Sequence, residues 1–341
     1  MLIKKKGRLL GLYYPETMET ANKTKVVDYV HPCYELELSF SHALNSIPSV
    51  VCILLYIFLA SLAVVTVCGN LLIITSVIYF TQLHTPTNSL ILSLAVTDLL
   101  VGVLVFPFSM AFSLSSCLHY GGLICQVRDI FDASLSTCSI LNLSCIAIDR
   151  YYAVCQPLTY TTKMNSRVVV VMILVNWSVS VFIGILIIIT GLNQETCEES
   201  CSIEVQLSGI LCGFYLPALV MLCIYMKIFL VAQRQARTIQ NTKKSGVTAS
   251  KMERKATKTL AIVMGIFLIC YTPFFLCMTA MPFNNNSVPL PVIETLNWVT
   301  LTNSMLNPFI YAFFYSWYRA AFRMIISGKI FQGDFTNFKL A

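Results

Sequence analysis

The sequence predicts an all-α membrane protein, a bundle of seven transmembrane helices followed by a short amphipathic eighth. Three observations predict it. Of the 341 residues, 57% are hydrophobic and only 11% are charged, against about 25% charged in an ordinary soluble domain. Apolar runs long enough to cross a bilayer recur seven times along the chain. The basic residues gather between and after those runs, so the net charge of +7 reflects membrane orientation. Membrane lipid is the expected surrounding, and no nucleic acid is expected as a partner.

Residues 1–47 form an extracellular N-terminus. Its basic run (Lys4, Lys5, Lys6, Arg8) is followed only by Leu9, Leu10 and Leu12 as apolar residues, too few for the core of a cleavable signal. The first span therefore serves as signal anchor. Residues 1–17 read as an upstream gene-model extension, with Met18 opening a more ordinary outer segment. The transmembrane domain covers residues 48–315. Its spans are expected at Pro48–Tyr79, Thr87–Ser113, Gly122–Val154, Val168–Thr190, Ile203–Val231, Lys255–Met281 and Pro291–Phe314. Residues 316–341 form the amphipathic helix and cytoplasmic tail. Within Ser316–Ser327, Tyr318, Phe322, Ile325 and Ile326 are expected to face lipid, with Arg319 and Arg323 toward water. No cysteine follows Tyr318, so that face holds the membrane without a palmitoyl anchor.

Orientation follows from the loops. The segment between spans five and six carries Lys227, Arg234, Arg237, Lys243, Lys244, Lys251, Arg254, Lys255 and Lys258, whereas Glu195, Glu198 and Glu199 lie between spans four and five. By the positive-inside rule the N-terminus is outside and the C-terminus inside. Two sequons, at Asn22 and Asn285, fall outside under this topology. A third, at Asn142, lies within a span and is discounted. Most of the fourteen cysteines lie in apolar stretches, where a thiol packs as a small hydrophobe.

Charges inside spans are costly and usually functional. Asp98 lies midway along the second span. Asp132 lies seven residues after Cys125, about 10 Å along a helix, and Arg150 lies eighteen residues beyond Asp132, roughly 27 Å further. The third span thus carries a carboxylate near its outer end and the charged pair Asp149–Arg150, followed by Tyr151, at its inner end. That is the layout of a signal transducer, since an ion path needs charges spread along a pore. Asp132, Ser136 and Ser139 share one helix face. Ser136 reads equally as a packing residue or a ligand contact. A lone carboxylate at Asp132 is strongly destabilised unless a proton or a cation neutralises it. The cation is either Arg128, one turn away, or a ligand. Tyr271, Phe274 and Phe275 around Pro273, with Trp298, supply aromatic walls of the kind an ammonium favours, although aromatics at helical spacing more often form core.

Rival classes fit less well. A transporter predicts internal repeats and polar residues on several broken spans, but no repeat is visible and the buried acids occupy two helices. A light sensor needs a seventh-span lysine, and Pro291–Tyr315 contains none. An enzyme is not expected. His31, His42, His84 and His119 lie outside the spans without metal-ligand spacing, and no catalytic set can be assigned.

The motifs Gly69-Asn70, Leu94-Ala95-Val96-Thr97-Asp98, Cys125, Asp149-Arg150-Tyr151, Trp177, Pro217, Cys270-Tyr271-Thr272-Pro273 and Asn307-Pro308-Phe309-Ile310-Tyr311 resemble those of rhodopsin-like G-protein-coupled receptors. Within that class, Asn303 to Tyr318 and Glu253 to Leu260 resemble the trace amine-associated receptors, as does the presence of Cys33 with Cys197 and Cys201. The likeness covers about residues 30–328 and suggests a fish-type olfactory member. It implies a small-amine receptor that activates a stimulatory heterotrimeric G protein and raises cyclic AMP. A rhodopsin-like receptor for a non-amine ligand and a biogenic amine neurotransmitter receptor are the alternatives, with a transporter more distant. The plasma membrane is the implied location.

The resemblance also implies residue roles. Asp132 would pair with the ligand amine. Asp98, Ser139, Asn303, Ser304 and Asn307 would form an allosteric sodium pocket, sodium being the sole accessory species expected. Arg150 would pair with Asp149 and Glu253 at rest and meet the G protein when active. Pro217, Pro273 and Pro308 would mark bends, and Tyr311 would belong to the switch. Cys125–Cys201 and Cys33–Cys197 would be disulfides. Three departures stand out. Tyr271 occupies the usual tryptophan position, and Leu301 occupies the position where amine receptors place a tyrosine beside the aspartate. The outer fifth span, Ser208 to Gly213, has neither the serines suited to catechols nor a second aspartate suited to diamines. A mainly apolar monoamine is therefore the favoured ligand.

Overall fold

The computed structural model describes residues 47–114, 123–192, 207–241, 247–283 and 288–328. Among these residues the chain is helical, with no strand. Six helices are long and apolar enough to cross a membrane: Ile53–Tyr79, Pro86–Ala111, Val127–Cys155, Ser166–Ile189, Leu207–Arg234 and Ile262–Phe283. The seventh, Leu290–Phe314, has 25 residues, about 37 Å at 1.5 Å per residue. It is less apolar than expected because Thr300, Asn303, Ser304 and Asn307 interrupt it, and all four turn into the protein.

The helices follow the expected spans closely at most ends. Spans five and six are exceptions, continuing to Asn241 and beginning at Val247. Those extensions contain neither proline nor glycine, so nothing ends the helix where the apolar pattern ends. At the second span, Thr85 caps the first turn by accepting a hydrogen bond from the Asn88 amide at 3.3 Å, and Pro86 occupies the first turn. Both are favoured helix-start chemistry. Two π-helical turns, Val101–Val105 and Leu211–Tyr215, interrupt spans two and five.

Span three is the central post, packing against spans two, four and five, while span seven closes the ring by contacting spans one and six. The outward faces of spans one, four and five expose Ile57, Phe58, Val171, Phe182 and Leu219, the apolar coat a lipid environment requires. Inside, polar side chains tie the spans together. Asn142, buried at the centre, donates to Thr97 at 3.4 Å and accepts from Asn176 at 3.3 Å, linking spans two, three and four. Its burial agrees with discounting that sequon.

Pro308 lacks the amide that would bond the Ser304 carbonyl one turn earlier. Asn70 supplies the missing donor, its Nδ2 lying 3.1 Å from that carbonyl. The neighbouring Gly69 lets the two helices meet, since a Cβ there would lie 2.7 Å from Pro308 Cγ.

The eighth helix, Ser316–Ile326, is amphipathic, but it differs from expectation at Tyr318 and at Arg319. Tyr318 is buried against the inner end of the bundle rather than facing lipid, and Ala321 packs on Phe80 and Leu83. Burial pushes the Tyr318 phenol up to about 12. Arg319 turns back to donate to the Ala312 and Phe313 carbonyls at 3.0 and 3.1 Å, capping the end of span seven. Phe322 and Ile326 remain outward.

Because proline's ring cannot yield, Gly69→Ala should cost about 1–3 kcal/mol and lower the melting temperature of the detergent-purified protein. Gly265→Ala, where an added Cβ meets nothing within 4 Å, serves as control. Equal melting of both variants and the parent would refute the close approach.

Candidate ligand-binding site

Asp132 sits half-buried on span three. Ser136, one turn inward, donates to its Oδ1 at 3.2 Å, so the shared face expected from spacing is realised. Arg128, the alternative internal cation, forms a two-pronged pair with Asp129 at 3.0 and 2.7 Å. Sequence reasoning weighed Arg128 without weighing Asp129, its immediate neighbour and the better-placed partner.

A further residue beside the carboxylate was missed. The Asn297 carboxamide of span seven is among the groups that act on Asp132, and its Oδ1 accepts from Thr300 at 3.3 Å. Asn297 precedes Leu301 by one helical turn. Leu301 itself is buried among Val101, Val105, Phe106 and Leu135. Asn297 thus supplies the span-seven polar group that Leu301 cannot. The rule that singled out Asp132, a polar side chain within an apolar span, would have found it.

The aromatic residues divide into two groups. Tyr271 and Phe275 form a stack with Phe214 of span five, whose ring lies 4.2 Å from that of Phe275 at an interplanar angle of 5°. Phe274 meets Phe275 edge-on at 5.5 Å. Trp298 belongs elsewhere, packing edge-on against Phe106 at 5.4 Å. Phe131, next to Asp132, stacks with Phe108 at 6.5 Å. Phe214 escaped the sequence reading because the π turn at Leu211–Tyr215 shifts the helical register. Ser208 and Cys212 are exposed while Phe214 is buried, so the inward residue of this wall is an aromatic ring.

Beneath this region, Asn307 donates to Asp98 Oδ2 at 2.6 Å. Ser139, Asn303 and Ser304 are buried around the same level. Asp98 Oδ1, Ser139 Oγ and Asn303 Nδ2 are buried without hydrogen-bond partners. A carboxylate oxygen and a hydroxyl with uncommitted lone pairs are the donors a hard cation takes, so these residues fit a bound sodium ion.

At the inner end, Asp149 is fully buried and heavily engaged. It accepts from Thr87 and Tyr160, each at 2.9 Å, and from Arg150 at 2.9 and 2.5 Å. Arg150 also donates to Thr87. Burial pushes the Tyr160 phenol up from its ordinary value, so it remains a donor. Sequence analysis found the Asp149–Arg150 pair but missed Thr87 and Tyr160, which lie 62 and 11 residues from Asp149. Tyr151 packs edge-on against Tyr152 at 5.6 Å. Tyr311 is buried, with the Tyr315 ring 5.7 Å away. The expected Arg150–Glu253 pair falls outside the described side chains. So do Cys125–Cys201, Cys33–Cys197, Asn22 and Asn285.

The model of the 7 transmembrane receptor (rhodopsin family) matches residues 69–311. Trace amine-associated receptor 1 of Macaca mulatta is 44% identical over 309 residues, covering 84% of this chain and 91% of that protein. Trace amine-associated receptor 4 of Mus musculus is 41% identical over 327 residues, 88% and 94% of the two chains. Trace amine-associated receptor 2 of Rattus norvegicus is 41% identical over 299 residues, 84% and 88% of the two. The chain belongs to the trace amine-associated receptors. It is a rhodopsin-family receptor and not an enzyme, a multi-pass protein of the plasma membrane with its N-terminus outside. Membership implies a small-molecule ligand and a heterotrimeric G protein as partners.

A resting-state role for the inner network is testable at Tyr160. Tyr160→Phe removes one hydrogen bond to Asp149, about 1 kcal/mol, and should raise ligand-independent nucleotide exchange on the G protein about fivefold. An unchanged basal rate at equal surface expression would contradict that role.

Proposed function

We propose that this receptor senses a small, mainly apolar monoamine as an olfactory cue and activates a stimulatory G protein to raise cyclic AMP. The observation that carries the amine is Asp132. Its carboxylate is half-buried in a membrane protein and accepts a hydrogen bond from Ser136, while the Arg128 guanidinium pairs with Asp129. Neutral hydrogen-bond donors orient a carboxylate but leave its charge for a ligand cation. A protonated amine satisfies it by a charge-assisted hydrogen bond.

The preference for an apolar body rests on the opposite wall. Phe214, Phe275 and Tyr271 present stacked rings, and the fifth-span stretch Ser208 to Gly213 offers no acidic residue. An aryl or alkyl tail matches that surface, whereas a second ammonium would lose hydration without gaining a partner. The names of the curated relatives, each a trace amine-associated receptor, support the same class. The sodium pocket at Asp98 is part of this reading, with the ion favouring the resting arrangement. On the inner side, Leu158 is 95% exposed in the loop after Gln156, an apolar contact suited to a G protein.

A cell assay for cyclic AMP over an amine panel tests the reading. Alkyl and aryl monoamines should be more potent than diamines, and Asp132→Ala should abolish the response while surface expression persists. Asn297→Leu, which removes a polar group acting on Asp132, should weaken potency roughly tenfold, the effect of about 1.4 kcal/mol. Equal potency of diamines, or a full response from Asp132→Ala, would overturn the assignment.

A further inference from the structure

The outer part of span three carries three charged side chains within five residues, Arg128, Asp129 and Asp132. Arg128 and Asp132 are four residues apart, so they lie one above the other on a single helix face. Arginine and aspartate at that spacing form ion pairs on helices. The structure shows a different pairing. Arg128 donates its Nε and Nη2 hydrogens to one oxygen of Asp129, at 3.0 and 2.7 Å. Asp132 accepts from the neutral Ser136 hydroxyl at 3.2 Å. The Asp129 side chain is 55% exposed and that of Arg128 17%, and an ion pair so open to water is held weakly. One guanidinium thus has two carboxylates within a turn of helix, and the outer one holds it.

That choice matters for a cationic ligand. With the guanidinium on Asp132, an incoming ammonium has to displace it, and apparent affinity falls with the fraction of receptors whose carboxylate is open. We propose that Asp129 sets the potency of amines by holding the Arg128 guanidinium off Asp132, which leaves that carboxylate open to a ligand ammonium. The proposal rests on the reading of Asp132 as the partner of the ligand amine. Asp129 is a positioning residue, since it acts through Arg128 and needs no contact with the amine. The weakness of an exposed pair suits the role. Arg128 is kept away by a margin small enough that loss of one charge redirects it, and both charges act on Asp132 across the intervening turn.

The test is a double-mutant cycle on the full-length receptor in cells, read as cyclic AMP potency at matched surface expression. The probes are 2-phenylethylamine and isoamylamine, one aryl and one alkyl monoamine. Asp129→Asn removes the charge that restrains Arg128, and the half-maximal concentration should rise about fivefold, the upper range for an exposed pair. Arg128→Gln removes the competing cation, so Asp129→Asn added to that background should change nothing. Asp129→Ser serves if the asparagine variant fails to reach the surface. A merely structural role for Asp129, or a direct pull of its charge on the amine, predicts the same loss in both backgrounds. An equal loss in both, or no loss in either, overturns the proposal, and a silent Asp132→Ala then leaves the amine site standing. A response that survives Asp132→Ala, or silence of both probes on the parent, overturns the monoamine reading and the proposal together.

Discussion

Water is absent from the middle of a bilayer, so each polar group within the seven spans has to be answered by another part of the protein. The helical backbone answers itself except at the prolines, and the side chains answer one another. The Ser304 carbonyl released by Pro308 is taken by Asn70 across the span-one interface. Asp98 takes the amide of Asn307 from span seven. Asn142 joins Thr97 and Asn176. These bonds fix which helices are neighbours and how each is rotated, because apolar faces alone are interchangeable against lipid. The few groups that remain unanswered are then informative. Among the described residues they are Asn70 Oδ1, Asp98 Oδ1, Ser109 Oγ, Ser139 Oγ and Asn303 Nδ2, and the Asp98 and Ser139 oxygens are of the kind a hard cation takes.

The third span turns that constraint into a directional device. It touches spans two, four and five, carries Asp132 toward the outside, and ends in the Asp149–Arg150 pair. The outer acid accepts a hydrogen bond from Ser136, and Arg128, one turn away, pairs with Asp129. The inner acid is fully engaged by Thr87, Tyr160 and Arg150. In the proposed reading, a ligand cation changes the balance at the outer end and the inner network keeps the rest state. Between them, Tyr271 and the rings of Phe214, Phe267 and Phe275 provide a packed aromatic column through which a shift can pass.

Much of this was legible in the sequence. Length of apolar runs and basic loop segments gave the seven spans and their orientation, because both follow from the bilayer as solvent. Asp98, Asp132 and Arg150 were visible because a charge in an apolar run is conspicuous. What escaped was geometry that no local pattern encodes. Thr87 and Tyr160 are ordinary residues until folding brings them onto Asp149. Phe214 was hidden by a π turn, which breaks the periodicity that assigns helix faces. Tyr318 looked lipid-facing because an amphipathic pattern cannot tell bilayer from bundle. Asn297 is readable in the sequence as a polar side chain within an apolar span, one turn before Leu301.

The central claim is that a ligand ammonium completes Asp132. A structure of the agonist-bound receptor in complex with its G protein measures this directly. The ligand nitrogen should lie within about 4 Å of an Asp132 carboxylate oxygen, the reach of an ion pair, with its apolar body against Phe275 and Phe214. A bound agonist whose charged group lies away from Asp132, with that carboxylate paired to Arg128 instead, would contradict the account.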